Sequence, residues 1–286
     1  MEKTMKVGLN TFLFASPFTT QKLSILKTIK EIGFDGVEVA YENKGDIDFP
    51  TVKAAIEDNG LECSSICGAF GPGRDLRGTA EEQKTAMSYI RDCVDACVGL
   101  GTDIFAGPFY SWVGRANMET AEAKNQQWKT VVKNTKELCN YAEDRGVYIG
   151  LEPLNRFETD FINICADAKK MVKEVGSPAL KIHLDTFHMN IEEKSPALAI
   201  LHAGDLLYHV HACENDRGAP GTGNIGWKGI HDALTAINYD RYLVIESFTP
   251  EVEIIAKAAS IWRETEKSGT ALARKGLHFL KALFAE

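Results

Sequence analysis

VYIGLE (147–152), LKIHLD (180–185), LYHVHA (207–212) and YLVIES (242–247) are four short β-rich runs, and each ends in or one residue past a residue able to bind a metal or move a proton. Helical patterns lie between them, near 164–176, 193–203 and 228–238. The alternation continues outward in both directions. Toward the N-terminus come KVGLNTF (6–12), GVEVA (36–40), ECSSIC (62–67) and DIFAGP (103–108), with helical patterns near 20–33, 48–59, 79–100 and 120–145. After the last run, 250–283 reads as one long helix. Gly33, Gly60, Gly101 and Gly146 each close a helical run before a strand, where a left-handed helix cap is needed. Eight βα units without a hairpin signal predict a closed parallel (β/α)8 TIM barrel, one catalytic domain over 1–286. A doubly wound open sheet would carry a glycine-rich phosphate loop after the first strand, where this chain has NTFLFASPF (10–18).

The composition narrows the function classes. The chain has 286 residues, 44% hydrophobic and 25% charged, enough for a core that needs no disulfides. Its 32 basic and 40 acidic side chains leave a net charge of −8, which disfavours nucleic acid and anionic membrane surfaces as partners. No run approaches the roughly 20 apolar residues of a membrane span, and the first residues enter a strand with no apolar signal run. Seven cysteines lie mostly in apolar segments with no CxxC pair, so they read as reduced, buried thiols of a cytoplasmic protein.

In such a barrel the C-terminal strand ends build the active site. The last four strands end in Glu152, Asp185, His211 and Glu246. Three carboxylates and an imidazole suit Mn²⁺, Mg²⁺ or Co²⁺ better than a structural zinc. Strand parity lets all four face inward in one layer, with His183 and His209 one layer below, in reach of them. A single carboxylate at a strand end is commonly a helix cap, but four consecutive strands ending this way point to a metal site. Cys67, at the end of the third strand, either lines the pocket or packs the barrel. Phe109, Tyr110 and Trp112 either give a sugar face an apolar wall or pack a loop or a subunit interface. Glu38, ending the second strand, ranks behind these as a site residue.

LEPLNRFE (151–158), HLDTFHMNIEE (183–193), HVHACENDRGAPGTG (209–223) and VIESF (244–248) together resemble the D-tagatose 3-epimerase and D-psicose (allulose) 3-epimerase family of the xylose-isomerase-like barrels. The resemblance runs to SIWR (260–263) and RKGLHFL (274–280), and so covers essentially the whole chain. It implies one divalent metal ion, Mn²⁺ ahead of Co²⁺ or Mg²⁺, on Glu152, Asp185, His211 and Glu246. It also implies that Glu152 and Glu246 form the acid–base pair, and that Glu158, His188 and Arg217 hold the oxygens at the reacting end of a ketose. The loops NTFLFASPF, CGAFGPGRDL (67–76) and GPFYSWVG (107–114) depart from the family's pattern and leave the sugar open. A homo-oligomer, dimer or tetramer, is expected from the resemblance and from exposed aromatics after the fourth strand.

Epimerisation next to a carbonyl removes an unactivated C–H proton and returns one on the opposite face. Two bases flanking C3 and a cation beside the developing enediolate meet that need. A hydride-shift aldose–ketose isomerase would need a second metal, and no second full ligand set stands out. A histidine-rich, three-metal apurinic endonuclease of related fold is disfavoured by only seven histidines and the net charge of −8. Action on a 3-keto-glycoside remains compatible, and a non-catalytic sugar-binding protein would have no use for two opposed carboxylates. A sugar phosphate would need an anion site after the seventh and eighth strands. There the sequence offers Arg217 and Lys228, beside Glu214 and Asp216, and then SFTPEVE (247–253) without a cation. A free ketose is therefore the expected substrate.

Overall fold

The computed structural model describes residues 5–285. Eight parallel strands close into a barrel in chain order. They are β1 (Val7–Asn10), β2 (Gly36–Tyr41), β3 (Glu62–Gly68), β4 (Ile104–Gly107), β5 (Tyr148–Leu151), β6 (Leu180–Asp185), β7 (Leu207–Ala212) and β8 (Leu243–Ile245). The ring shuts where Gly8 of β1 pairs with Val244 of β8. All eight expected strands are present.

Alternation divides each strand between two environments. Val37 and Val39, Ile182 and Leu184, and Val210 face outward into one large apolar core shared with the helices. Between them Glu38, His183 and His211 turn inward and are buried. The register levels these inward residues across the ring: Asn10 pairs with Glu38, His183 with His209, and Asp185 with His211. Irregular register falls just before Glu38 and just before His183. Such irregularities re-aim side chains near sites.

The helices are α1 (Ser24–Ile32), α2 (Phe49–Asp58), α3 (Ala80–Leu100), α4 (Ala121–Glu143), α5 (Cys165–Val175), α6 (Thr186–Glu192), α7 (Pro196–Ala203), α8 (Trp227–Ala236), α9 (Glu253–Ala258) and α10 (Gly269–Leu283). Local chemistry sets their ends. Thr79 and Glu82 form a reciprocal capping box on α3, and Gly33 and Gly101 adopt the left-handed conformation that ends α1 and α3. Two expectations need revision. The helix read at 193–203 is α7 alone, and α6 precedes it, starting directly on Asp185, whose carboxylate accepts from Phe187 N at 2.6 Å. The single helix read at 250–283 is α9 and α10 with a polar break between them, where Ser260 takes a φ of 57° and Ser268 caps α10. Among the described residues no helix is long and apolar enough to cross a membrane. All seven cysteines are free thiols, six of them buried and Cys63 half-buried.

Candidate active site

The four strand-end residues converge at the C-terminal mouth of the barrel. Glu152 and Glu246 sit just past β5 and β8, and Asp185 and His211 lie near the ends of β6 and β7. All four are buried. Ligand atoms of Glu152, Asp185 and His211 lie within 4.8 Å of one another. Glu246 falls outside that tight group but adjoins it, its Oε2 being 3.3 Å from His211 Nδ1. That Nδ1 is buried and has no hydrogen-bond partner, while Nε2 of the same ring lies 2.7 Å from Glu38 Oε1. An orphaned imidazole nitrogen facing three carboxylates fits a divalent cation with oxygen and nitrogen ligands.

Arg217 crosses the cluster. It takes a φ of 61° in the loop after β7, and Nη1 donates to Asp185 Oδ2 at 2.6 Å and to Glu246 Oε2 at 3.1 Å. The guanidinium lies 4.2 Å from the ring centre of Phe187 and 5.1 Å from that of Phe248. Two aromatic faces thus steady its charge. His188 is buried beside it. Asn155 N–H donates to His188 Nδ1 at 3.1 Å, and Arg217 Nη2 lies 3.1 Å from Nε2 of the same ring. Nε2 lies 3.7 Å from Glu152 Oε1 and faces the cluster. Asn155 Nδ2 also donates to Glu158 at 2.8 Å, which joins that half-buried carboxylate to His188 through one amide.

Opposing forces set the charges. Burial pushes the Glu152 carboxyl well above its ordinary range, with Glu246 and Asp185 adding to the shift against His211. Burial also works against ionising Asp185, but Arg217, His188 and His211 outweigh it and hold this carboxyl at about 2. His188 is shifted downward by burial, which favours the neutral ring. The two carboxyls are thus shifted in opposite directions.

Cys67 reaches the cluster, with Sγ 3.8 Å from Glu246 Oε1, and burial pushes its thiol pKa well up, so it is a weak S–H donor there. It belongs to a small apolar group with Phe12, Phe248 and Ile261, drawn from the loops after β1 and β8. Phe109 and Tyr110 are wholly buried, and Tyr110 packs on Phe161 while its hydroxyl donates to Ile162 O. They are loop packing and supply no exposed aromatic surface. Trp112 is half-buried, and a side chain at Gly114 would meet its ring.

Three features escaped the sequence reading. Glu38, ranked low, is fully buried under the cluster, with His209 Nε2 and His211 Nε2 each 2.7 Å from its oxygens. The available signal was a lone carboxylate amid the apolar alternation of GVEVA. Glu214, read as one acid among others in its loop, is buried and accepts from Gly221 N, Ile225 N and Trp227 Nε1, which folds the loop onto itself. Asn10 donates to both Glu38 and Glu246, residues far from one another in sequence. His183 does lie below the cluster as expected, 3.6 Å from Glu152 Oε2, though neither ring nitrogen has a hydrogen-bond partner.

The chain is similar to known proteins over nearly its whole length. A family described as xylose isomerase-like TIM barrel matches residues 26–283. A probable ketose 3-epimerase of Synechocystis is 31% identical, covering 98% of this chain and 97% of its own length. An L-ribulose 3-epimerase of Mesorhizobium japonicum is also 31% identical, over 96% of this chain and 93% of its own. A solved L-ribulose 3-epimerase structure superposes with a TM-score of 0.92 at 30% identity, covering 98% of this chain and 95% of that one.

Proposed function

The chain belongs to the xylose isomerase-like TIM barrel family and, within it, to the ketose 3-epimerases, and we propose that it inverts C3 of a free, unphosphorylated ketose with one divalent metal ion. The observation that carries this reading is the convergence of two glutamates, an orphaned imidazole nitrogen and a shared arginine at one mouth of the barrel. Glu152, Asp185, His211 and Glu246 would hold the ion, Mn²⁺ ahead of Co²⁺ or Mg²⁺. Bound there, the ion would supply Lewis-acid stabilisation of the negative charge that develops beside C3.

Glu152 and Glu246 form the acid–base pair. Starting from one epimer, Glu246 takes the C3 proton, and Glu152 delivers one to the other face. The opposite epimer reverses the roles. His188 and the Arg217 guanidinium hold oxygens at the reacting end of the sugar, and Glu158 accepts from a hydroxyl there. Cys67 and the apolar group around Phe12 and Phe248 shape one wall, and Trp112 is read as a contact to the far end of the sugar. Deprotonation with two opposed bases separates this reading from a binding protein.

The paired state of nearby cations supports an uncharged substrate. Arg217 is engaged with Asp185 and Glu246, and Lys228 lies 2.9 Å from Asp232. In the loop after β7, Asp216 pairs with Arg263 at 2.7 Å. The test is turnover of D-psicose, D-fructose and L-ribulose against ribulose 5-phosphate and a 3-keto-glycoside, all with the same metal loading. Preference for a free ketose in kcat/KM is expected. Preference for the phosphate or the glycoside overturns the assignment. Free thiols support a reducing, cytoplasmic setting. A homo-oligomer is read from the family resemblance and from the exposed Phe157 and Trp262. Light scattering showing only monomer at millimolar protein contradicts it.

A further inference from the structure

Glu38 is a fully buried carboxylate on β2, a placement that costs several kcal/mol for an ion unless its oxygens are satisfied. Four groups converge on it. Asn10 Nδ2 lies 2.7 Å from Oε1 and Ser65 Oγ 2.7 Å from Oε2. His211 Nε2 and His209 Nε2 are each 2.7 Å away, one on each oxygen. An ionised carboxylate accepts and cannot donate. The His211 nitrogen that faces Glu38 must therefore carry the ring proton, and Nδ1 is the one left to face Glu246 at 3.3 Å and Asp185 at 3.9 Å. Asn10 is fixed as well. Its Oδ1 accepts from Phe12 N at 2.8 Å, and its amide nitrogen is shared between Glu38 at 2.7 Å and Glu246 at 3.3 Å.

We infer that Glu38 is the positioning residue of the site: it holds His211 with Nδ1 toward the metal and, through Asn10, orients the Glu246 carboxylate. Its two oxygens divide the work, since Oε1 serves both His211 and Asn10 while Oε2 accepts from Ser65 and lies beside His209. The inference rests on the metal-site reading proposed above, though not on the identity of the sugar. Partners of this kind fix ligand tautomers, and their loss usually weakens metal binding.

The test uses the whole protein with Mn²⁺ as probe and titration calorimetry as a readout separate from turnover. Glu38→Gln keeps an oxygen for His211 and Asn10 but loses the charge. It should lower Mn²⁺ affinity about 10- to 100-fold, and Glu38→Ala should lower it further, so that the conservative variant retains part of the function. Asn10→Ala should lower kcat at saturating Mn²⁺ more than it changes KM. Wild-type Mn²⁺ affinity in both Glu38 variants overturns the inference. Should those variants fail to fold, ¹⁵N-histidine NMR of the Mg²⁺-loaded wild type decides it. A proton on His211 Nε2 and none on Nδ1 is expected, and the reverse tautomer overturns it. Loss of Mn²⁺ affinity in a protein that turns over no ketose would sink the epimerase reading and leave the positioning role standing.

Discussion

The two sides of the barrel mouth are built differently. β5 to β8 end in the groups proposed to do the chemistry, Glu152, Asp185, His211 and Glu246, and the adjoining loop adds Arg217. β1 to β3 contribute Asn10, Glu38 and Cys67, which touch those groups from below and from the side, and Ser65, which bonds to Glu38. In the proposed scheme one side moves protons and the other sets where the proton-carrying atoms point. Asp185 and Glu246 sit close together because one nitrogen of Arg217 bridges them. Asp185 is held by Arg217 and the start of α6, and Glu246 by Arg217 and Asn10. Glu152 has only long contacts, 3.6 Å to His183 and 3.7 Å to His188.

The division makes graded predictions. Changes on the β5–β8 side should be the most severe. Glu152→Gln and Glu246→Gln each remove a general base and should lower kcat by at least about 10²–10⁴, as measured in steady-state assays with saturating metal. Activity within a few-fold of wild type in either would break the two-base scheme. Next comes Arg217→Lys, which loses the fork spanning Asp185 and Glu246 and the flat stack between Phe187 and Phe248. Loss of one charge-assisted hydrogen bond is worth about 1.5–3 kcal/mol, so kcat/KM should fall about 10- to 100-fold. A lysine variant with full activity would leave Arg217 a packing role only.

Metal binding should depend on pH through the same groups. The raised Glu152 carboxyl means that the folded, metal-free protein keeps a proton the unfolded chain has released. Its contribution to stability is complete below the unfolded value and is lost as pH rises through the raised one. Asp185, held at about 2, has the opposite slope and acts only below about pH 4. A cation replaces the Glu152 proton, so the gain in melting temperature on adding Mn²⁺ should be larger at pH 8 than at pH 5.5. A gain independent of pH would mean that Glu152 is not a ligand. The smallest effect belongs to Cys67→Ala, which removes a weak S–H contact to Glu246 at 3.8 Å and should change kcat less than about tenfold, well short of losing a general base.

The same contrast explains what could be read in advance. Glu152, Asp185, His211 and Glu246 were visible because each closes a β-rich run, and strand alternation fixes the inward face without any knowledge of neighbours. The barrel was legible for a related reason: eight repeats of one pattern admit few topologies. Asn10 and Glu38 were not visible as partners because their roles depend on contacts across the ring, such as Asn10 to Glu246, and those follow from closure and register. Glu214 was misread since acidic loop residues are usually solvated, and only the folded loop turns its oxygens onto three N–H groups. The aromatics after β4 were ambiguous for a similar reason, as whether Tyr110 faces a sugar or Phe161 depends on how the loop after β5 folds over it. The break between α9 and α10 was hidden because apolar periodicity on both sides of SIWRETEKSG reads as one helix until the serine cap is recognised.

The central claim is reversible deprotonation at C3 by two opposed carboxylates. It is tested most directly by incubating the metal-loaded protein with D-fructose or D-psicose in D₂O and following the sugar by ¹H and ¹³C NMR. The account predicts that the epimer formed carries deuterium at C3 and nowhere else, and that Glu152→Gln and Glu246→Gln form none of it. Epimer formed with protium retained at C3, or deuterium entering at C1 with an aldose appearing, would contradict it.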